Sequence, residues 1–228
     1  MISYASSSPA ITGYDDGGYL FRIVPSDVLQ GQALADTYAA SGYTSPALIS
    51  MTNDYGVGFA DSFKANYDGD ICAEVTYAEL TTDFSAQVTE VTDNDCDSVV
   101  MISYAVDGAL ILEELDEQAF TGKVFGGDGI GDVSLVNFLT DVTILDGITV
   151  IKPSFGSDSD ARTAFDAAWA AEERSANAIY IHEVYDTITM IGEAAMFDTD
   201  GDLRDDLAVV GNGYAGASGV HTFDVNGD

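Results

Sequence analysis

Tyr55, Tyr104 and Asp128 each follow closely on a short apolar run. Phenol and carboxylate are groups that hydrogen-bond a ligand. In an open α/β sheet the ligand crevice lies outside the carboxyl ends of the strands, which is where these residues fall if the runs are strands. Catalytic sets are harder to assemble. His182 stands beside Glu183 and four residues before Asp186, the spacing of an acid/base pair, but no nucleophile accompanies it and there is no G-x-S-x-G elbow. A packed or exposed helix histidine is the favoured reading. Gly211, Gly213 and Gly216 match G-x-G-x-x-G, yet no helix is expected after them, so they read as a turn-rich loop. The Asp198/Asp200/Asp202 and Asp224/Asn226/Asp228 pieces resemble the start of a calcium loop. The first has Leu203 where glycine is needed and Val209 where the closing Glu should stand, and the second runs off the end, so turn chemistry is the expectation. No Cys/His metal spacing occurs, and no cofactor is expected.

The apolar runs begin near Ala47, Ile71, Ser98, Lys123 and Ile148, a repeat of about 25 residues, which fits a strand, a helix and two loops. Strands are expected at Pro46–Met51, Ile71–Tyr77, Ser98–Ser103, KVFG and ITVIK. Helices are expected at 56–67, 84–92, 109–119 and 133–139. Nearly all-apolar strands imply a parallel sheet covered on both faces, with right-handed crossovers. Ahead of this unit, Tyr19–Val24 reads as a strand. Ser26 is placed to cap a helix carrying Val28, Leu29, Ala33, Leu34 and Tyr38, with Gly42 closing it. After Pro153 two helices (160–174 and 178–196) follow with no strand between them, then a short helix (203–210) and a strand (220–223). The second long helix carries Ile181, Tyr185, Ile188 and Ile191. These end segments have apolar faces and no sheet of their own to cover them.

With 228 residues, 46% of them hydrophobic, the chain can bury a real core. Its 39 acidic residues against 7 basic ones leave a net charge of −32. Nucleic acid and anionic membrane surfaces are therefore poor partners. The acidity reads either as adaptation to a saline (halophilic) medium, where counterions screen self-repulsion, or as a surface kept acidic for solubility. There is no apolar run long enough for a membrane span, and no signal peptide is visible. Cys72 and Cys96 stand at the starts of two strands on one edge of the sheet. A disulfide is one reading. The strand expected between them would strain it, which narrowly favours two small buried thiols.

Four segments in order, Phe21–Asp36, Asn53–Phe63, Thr82–Val88 and Phe125–Gly131, together with the closing TFDVNGD, resemble type I periplasmic binding proteins, nearest the substrate-binding components of branched-chain amino acid ABC transporters. The resemblance implies a three-layer αβα Rossmann-like lobe with a parallel five-stranded sheet, one half of a bilobal fold. It implies that 1–24 and 154–228 are remnants of lobe one, 25–153 is the intact lobe two, and the opening part of lobe one has no counterpart. A piece of this kind should bind weakly or not at all by itself. Carried over by position, Ala5, Ser6 and Ser7 match the segment that holds a ligand carboxylate. Tyr55 and Tyr104 match cleft tyrosines. Asp128 stands where the family has a Glu for the α-ammonium. A desolvated ammonium needs a charged acceptor, and Asp, one methylene shorter, requires a deeper ligand or a bridging water. Ordinary loop-end packing for the tyrosines and a turn role for Asp128 stay open.

The implied function is a non-enzymatic solute-binding protein, periplasmic or extracellular, that closes by a hinge on an aliphatic amino acid and delivers it to a membrane permease without entering the membrane itself. A sensory module of the same fold is the alternative, and fold alone does not separate them.

Overall fold

The computed structural model describes residues 1–154, 159–174 and 178–228. The junction between the two long helices expected after Pro153 lies partly at 175–177, outside the described residues. In chain order the elements are β1 (Ile2–Ser3), β2 (Phe21–Arg22), α1 (Asp27–Ser41), β3 (Pro46–Met51), α2 (Asp54–Asn66), β4 (Ala73–Tyr77), α3 (Ser85–Asp93), β5 (Ser98–Ile102), α4 (Ala105–Glu117), β6 (Lys123–Gly126), β7 (Thr149–Val150), α5 (Asp160–Ala171), α6 (Ile181–Phe197), α7 (Leu203–Val210), β8 (Asn212–Ala215) and β9 (Val220–Thr222). They divide into two compact units, Asp27–Lys152 and Met1–Ser26 with Pro153–Asp228.

The first of these units is a mixed α/β layer structure around one parallel sheet of order β4-β3-β5-β6-β7. Every residue of β3 and β5 is buried, because both faces are covered, whereas the edge strand β4 alternates between buried and exposed positions. Ala47 pairs with Ala73 on one side and with Val99 on the other. Helices α1 and α2 pack on each other, as do α3 and α4. Leu34, Tyr38, Phe59 and Phe63 fill one side of the core with no exposure. The buried face of α1 is Gln30, Gly31, Leu34, Ala35 and Tyr38, while Val28 and Leu29 of the expected stripe are exposed. The stripe is turned because Gly31 lies against Ser62, and a Cβ there would collide with the Ser62 side chain. Gly42 closes α1 at φ +88°, the left-handed geometry expected of it.

Helices α2 and α4 each begin earlier than their apolar spacing indicated. Asn53 caps α2 by accepting from the Gly56 N–H at 2.9 Å, and α4 starts directly after Tyr104. Each first turn holds an Asp and a Gly that interrupt the apolar period (Asp54 and Gly56, Asp107 and Gly108), so these starts were not visible in the pattern. The segment expected to be a helix at 133–139 is a 3-10 turn over Val133–Asn137.

Cys72 and Cys96 form a disulfide, against the reading as buried thiols. The strand β3 does lie between β4 and β5. Both cysteines stand in the connections ahead of those strands, however, where the chain converges on the start of β3. The Cys72 N–H donates to Pro46 O at 2.8 Å and the Asp97 N–H to Ser45 O at 3.1 Å. The two Cα atoms are thus 5.7 Å apart, within ordinary disulfide range.

The second unit contains the parallel pair β1–β2, the hairpin β8–β9 and helices α5 to α7. Ile2, Phe21, Ile23, Met190, Ala194 and Leu207 form its main core. Arg22, 2% exposed, donates to Ser7 O, Ser8 O, Thr12 Oγ1 and Asp228 Oδ2 at 2.7–3.1 Å, tying the chain's two ends to one guanidinium. The glycine-rich stretch expected to be loop contains β8. Gly213, at φ +78°, makes the irregularity that lets Asn212 and Tyr214 both pair with β9. On α6 Ile181 of the expected apolar stripe is buried, but Tyr185, Ile188 and Ile191 are exposed, and His182, Glu183, Asp186 and Thr187 face inward with Met190 and Ala194. Asp186 explains the inversion. It accepts from the backbone N–H groups of Ala217 (2.8 Å) and Ser218 (2.7 Å), binding α6 to the hairpin turn.

Candidate ligand-binding site

The carboxyl edge of the five-stranded sheet gathers Tyr55, Tyr104 and Asp128. Tyr55 lies in the first turn of α2, not at a loop end, so the capped helix fixes its backbone. Asp128 opens a short 3-10 turn after β6 and is 3% exposed. The Tyr55 hydroxyl donates to Asp128 Oδ1 at 2.9 Å and accepts from the Gly129 N–H at 3.2 Å. Burial, then the neighbouring Asp128 charge, pushes the Tyr55 phenol well above its usual range, so it stays a donor to the carboxylate at neutral pH. The Tyr104 ring stacks on Tyr55 with centroids 5.1 Å apart and planes inclined by 14°, and 44% of the residue is exposed. The arrangement presents a fixed anion beside an aromatic shelf. It suits a ligand cation and an adjoining hydrocarbon stem, and it holds no nucleophile.

Two residues that the sequence reading passed over belong here. Asp27, at the start of α1, is fully buried, accepts from Gln30 Nε2 at 2.8 Å, and adds to the field that raises Tyr55 and Tyr104. Asn53 caps α2 and also interacts with the Tyr104 hydroxyl. The signal for Asn53 was available, since it stands two residues past a strand end like the residues that were chosen. Asp27 gave none, because a carboxylate at a helix start is ordinarily a solvated cap.

Ala5, Ser6 and Ser7 lie in the other unit, just after β1. Ser3 Oγ accepts from the N–H groups of Ser6 at 2.9 Å and Ala5 at 3.5 Å. Ser7 is buried and its carbonyl takes Arg22 Nη1, so Ser6 alone of the three is exposed. In the same unit His182 is buried with Nε2 2.7 Å from Asp166 Oδ1. Ser218 Oγ and Asp186 Oδ2 both meet His221 at Nε2, at 2.8 and 3.5 Å. A catalytic relay needs acid and nucleophile on opposite ring nitrogens, so this set is a structural lock. Burial alone would raise Asp186, but the hydrogen bonds from His221, Ser218 and Ala217 hold its carboxyl below the ordinary value.

Known proteins bear on this geometry. The family described as "receptor family ligand binding region" matches residues 1–197. The chain belongs to that family. The Leu/Ile/Val-binding protein BraC3 of Rhizobium johnstonii is 30% identical over 136 residues, which are 58% of this chain and 35% of the relative. The leucine-binding protein LivK of Thermotoga maritima superposes with a TM-score of 0.88 at 22% identity, over 100% of this chain and 66% of that one. The branched-chain amino acid substrate-binding protein LivJ of Streptococcus pneumoniae, solved with isoleucine, gives 0.85 at 25% identity over 99% and 65%. The chain thus accounts for about a third of its curated relative's length and just under two thirds of the solved chains. Its fold is that of the type I periplasmic binding proteins, and members of this family and fold are binding proteins rather than enzymes.

Proposed function

We propose that the chain is the larger part of a solute-binding component of an ABC transporter, which holds a small amino acid between two lobes and delivers it to a membrane permease. Residues 25–153 are the complete second lobe, and 1–24 with 154–228 belong to the first. The observation that carries this reading is the buried Asp128 carboxylate held by Tyr55 at the carboxyl edge of the sheet. It is a built receptor for an ammonium group, in a chain similar to a Leu/Ile/Val-binding protein. In this reading Tyr104 lines the stem of the ligand, and Ala5, Ser6 and Ser7 receive its carboxylate. Its relatives include a Leu/Ile/Val-binding protein and a protein solved with isoleucine, which makes branched-chain amino acids the first to test. A periplasmic or extracellular setting agrees with the disulfide, which persists in oxidising compartments.

Calorimetric titration of the full-length protein, of which this chain is a part, with leucine and isoleucine tests the proposal. Saturable heat is expected, and Asp128→Ala should abolish it, because a buried charge-assisted bond contributes on the order of 2–3 kcal/mol. Absence of binding across a broad amino acid panel would rule out this substrate class. The second reading, a sensor that reports the same ligand to a partner protein, is favoured by the family's description as a receptor ligand-binding region. Recovery of a regulator rather than a permease on affinity purification would select it.

A further inference from the structure

The site described above leaves a second polar group on the same sheet edge without a use. Glu79 follows β4 by two residues, and Asp107 lies in the first turn of α4. Asn53 Nδ2 donates to Glu79 Oε1 at 2.6 Å, while the Asn53 oxygen is committed to the Gly56 N–H. The amide orientation is therefore set, and it holds an exposed carboxylate in one place. Asp107 is half-buried. Burial first, and then the like charge of Glu79, raises its carboxyl above the ordinary value. Beneath the two acids, Tyr77 is 3% exposed and Ser103 1% exposed, and neither hydroxyl completes a hydrogen bond within the chain. The Tyr77 hydroxyl lies beside Ser103 and Asp107, so it points at the acidic pair.

Buried hydroxyls without partners and carboxylates in mutual repulsion both carry a cost that one donor-rich cation would relieve. The unit's own cations do not supply it. Lys64 is paired with Asp61 and Glu74, Lys123 starts β6 at the opposite end of the sheet, and Lys152 follows β7, on the far edge from β4. Acidity alone would not mark a site in a chain of this charge. The orphaned hydroxyls and the fixed Glu79 are what set this group apart.

We propose that Glu79, Asp107, Tyr77 and Ser103 form a second subsite that receives a cationic side-chain end, so that the ligand is a basic amino acid such as arginine. The inference rests on the placement of the α-ammonium at Asp128. Strand β5, which leads into α4 and Asp107, neighbours β6, which leads to Asp128, so the two carboxylates follow adjacent strand ends, a separation on the order of 5–10 Å that an extended basic side chain spans. The exposed Tyr104 side chain feels the charges of both Glu79 and Asp128, and an aromatic ring there suits a guanidinium or its stem.

The test is amide NMR titration of the full-length protein, of which this chain is a part, with arginine, leucine and agmatine into the millimolar range, so that weak binding registers. Arginine is expected to bind about tenfold more tightly than leucine. The Glu79→Gln/Asp107→Asn double variant should erase that preference, and Tyr77→Phe should reduce it, with folding of both checked by thermal unfolding. Equal affinity for leucine and arginine, or a preference that survives in the folded double variant, overturns the subsite and leaves the amino acid reading in place. Agmatine binding when neither amino acid binds supports the subsite and overturns the amino acid reading. No response to any of the three overturns both.

Discussion

At the residue scale the chain uses buried carboxylates in two ways. Asp128 and Asp186 are both nearly inaccessible and both held by hydroxyl donors, one at the sheet edge and one locking α6 to a hairpin. Glu183, one helical turn from Asp186 on the same inward side of α6, is 6% exposed and its Oε2 has no hydrogen-bond partner. Burial raises its pKa, with His182 and His221 pulling the other way. A carboxyl raised in the folded state penalises folding fully above its folded pKa, and the penalty vanishes below the ordinary Glu value of about 4.3. Glu183→Gln should therefore stabilise the chain at pH 7 by about 1 kcal/mol, the order found for relieving an unsatisfied buried polar group. The gain should shrink to nothing as the pH falls to about 4. Thermal unfolding of both proteins across that pH range reads the effect directly.

At the scale of elements, the connection ahead of each strand matters as much as the strand. The disulfide joins two such connections 24 residues apart across the start of β3. Loop-closure arguments give a bridge of that span about 3 kcal/mol of stability. Reduction, or a Cys72→Ser/Cys96→Ser variant, should lower the denaturant midpoint correspondingly with little change in slope, and an unchanged midpoint would show that the bridge is absent in solution. The central strands were legible because parallel strands covered on both faces read as continuous apolar runs. Helix starts at Asp54 and Ala105 were not, since the first is set by the Asn53 cap and the second follows Tyr104 with no side-chain cap to mark it. The β8 strand was hidden among glycines, because what makes it a strand is its partner, the segment 220–222.

At the scale of the whole molecule the charge dominates. A net charge of −32 makes the compact state self-repelling wherever counterions are few. We expect the melting temperature to rise steadily with potassium chloride from low to molar concentration, beyond what screening at physiological strength achieves. A flat or falling dependence would leave acidity as a solubility feature only. The exposed stripe Tyr185, Ile188, Ile191, with Met196 at 79% exposure, should also promote self-association as salt weakens that repulsion, measurable by light scattering in the same series.

The sequence by itself determined the repeat and the strand ends that Tyr55, Tyr104 and Asp128 follow, because apolar periodicity and chain direction are local properties. The tertiary structure alone decided which side chains meet. It put the Tyr55 hydroxyl on Asp128, brought Cys72 to Cys96, turned a polar face of α6 inward, and left Tyr77 and Ser103 beneath Glu79 and Asp107. Each of these depends on groups far apart in the chain, whose pairing is selected by the desolvation cost of leaving them apart, and that cost exists only once the surrounding core has formed.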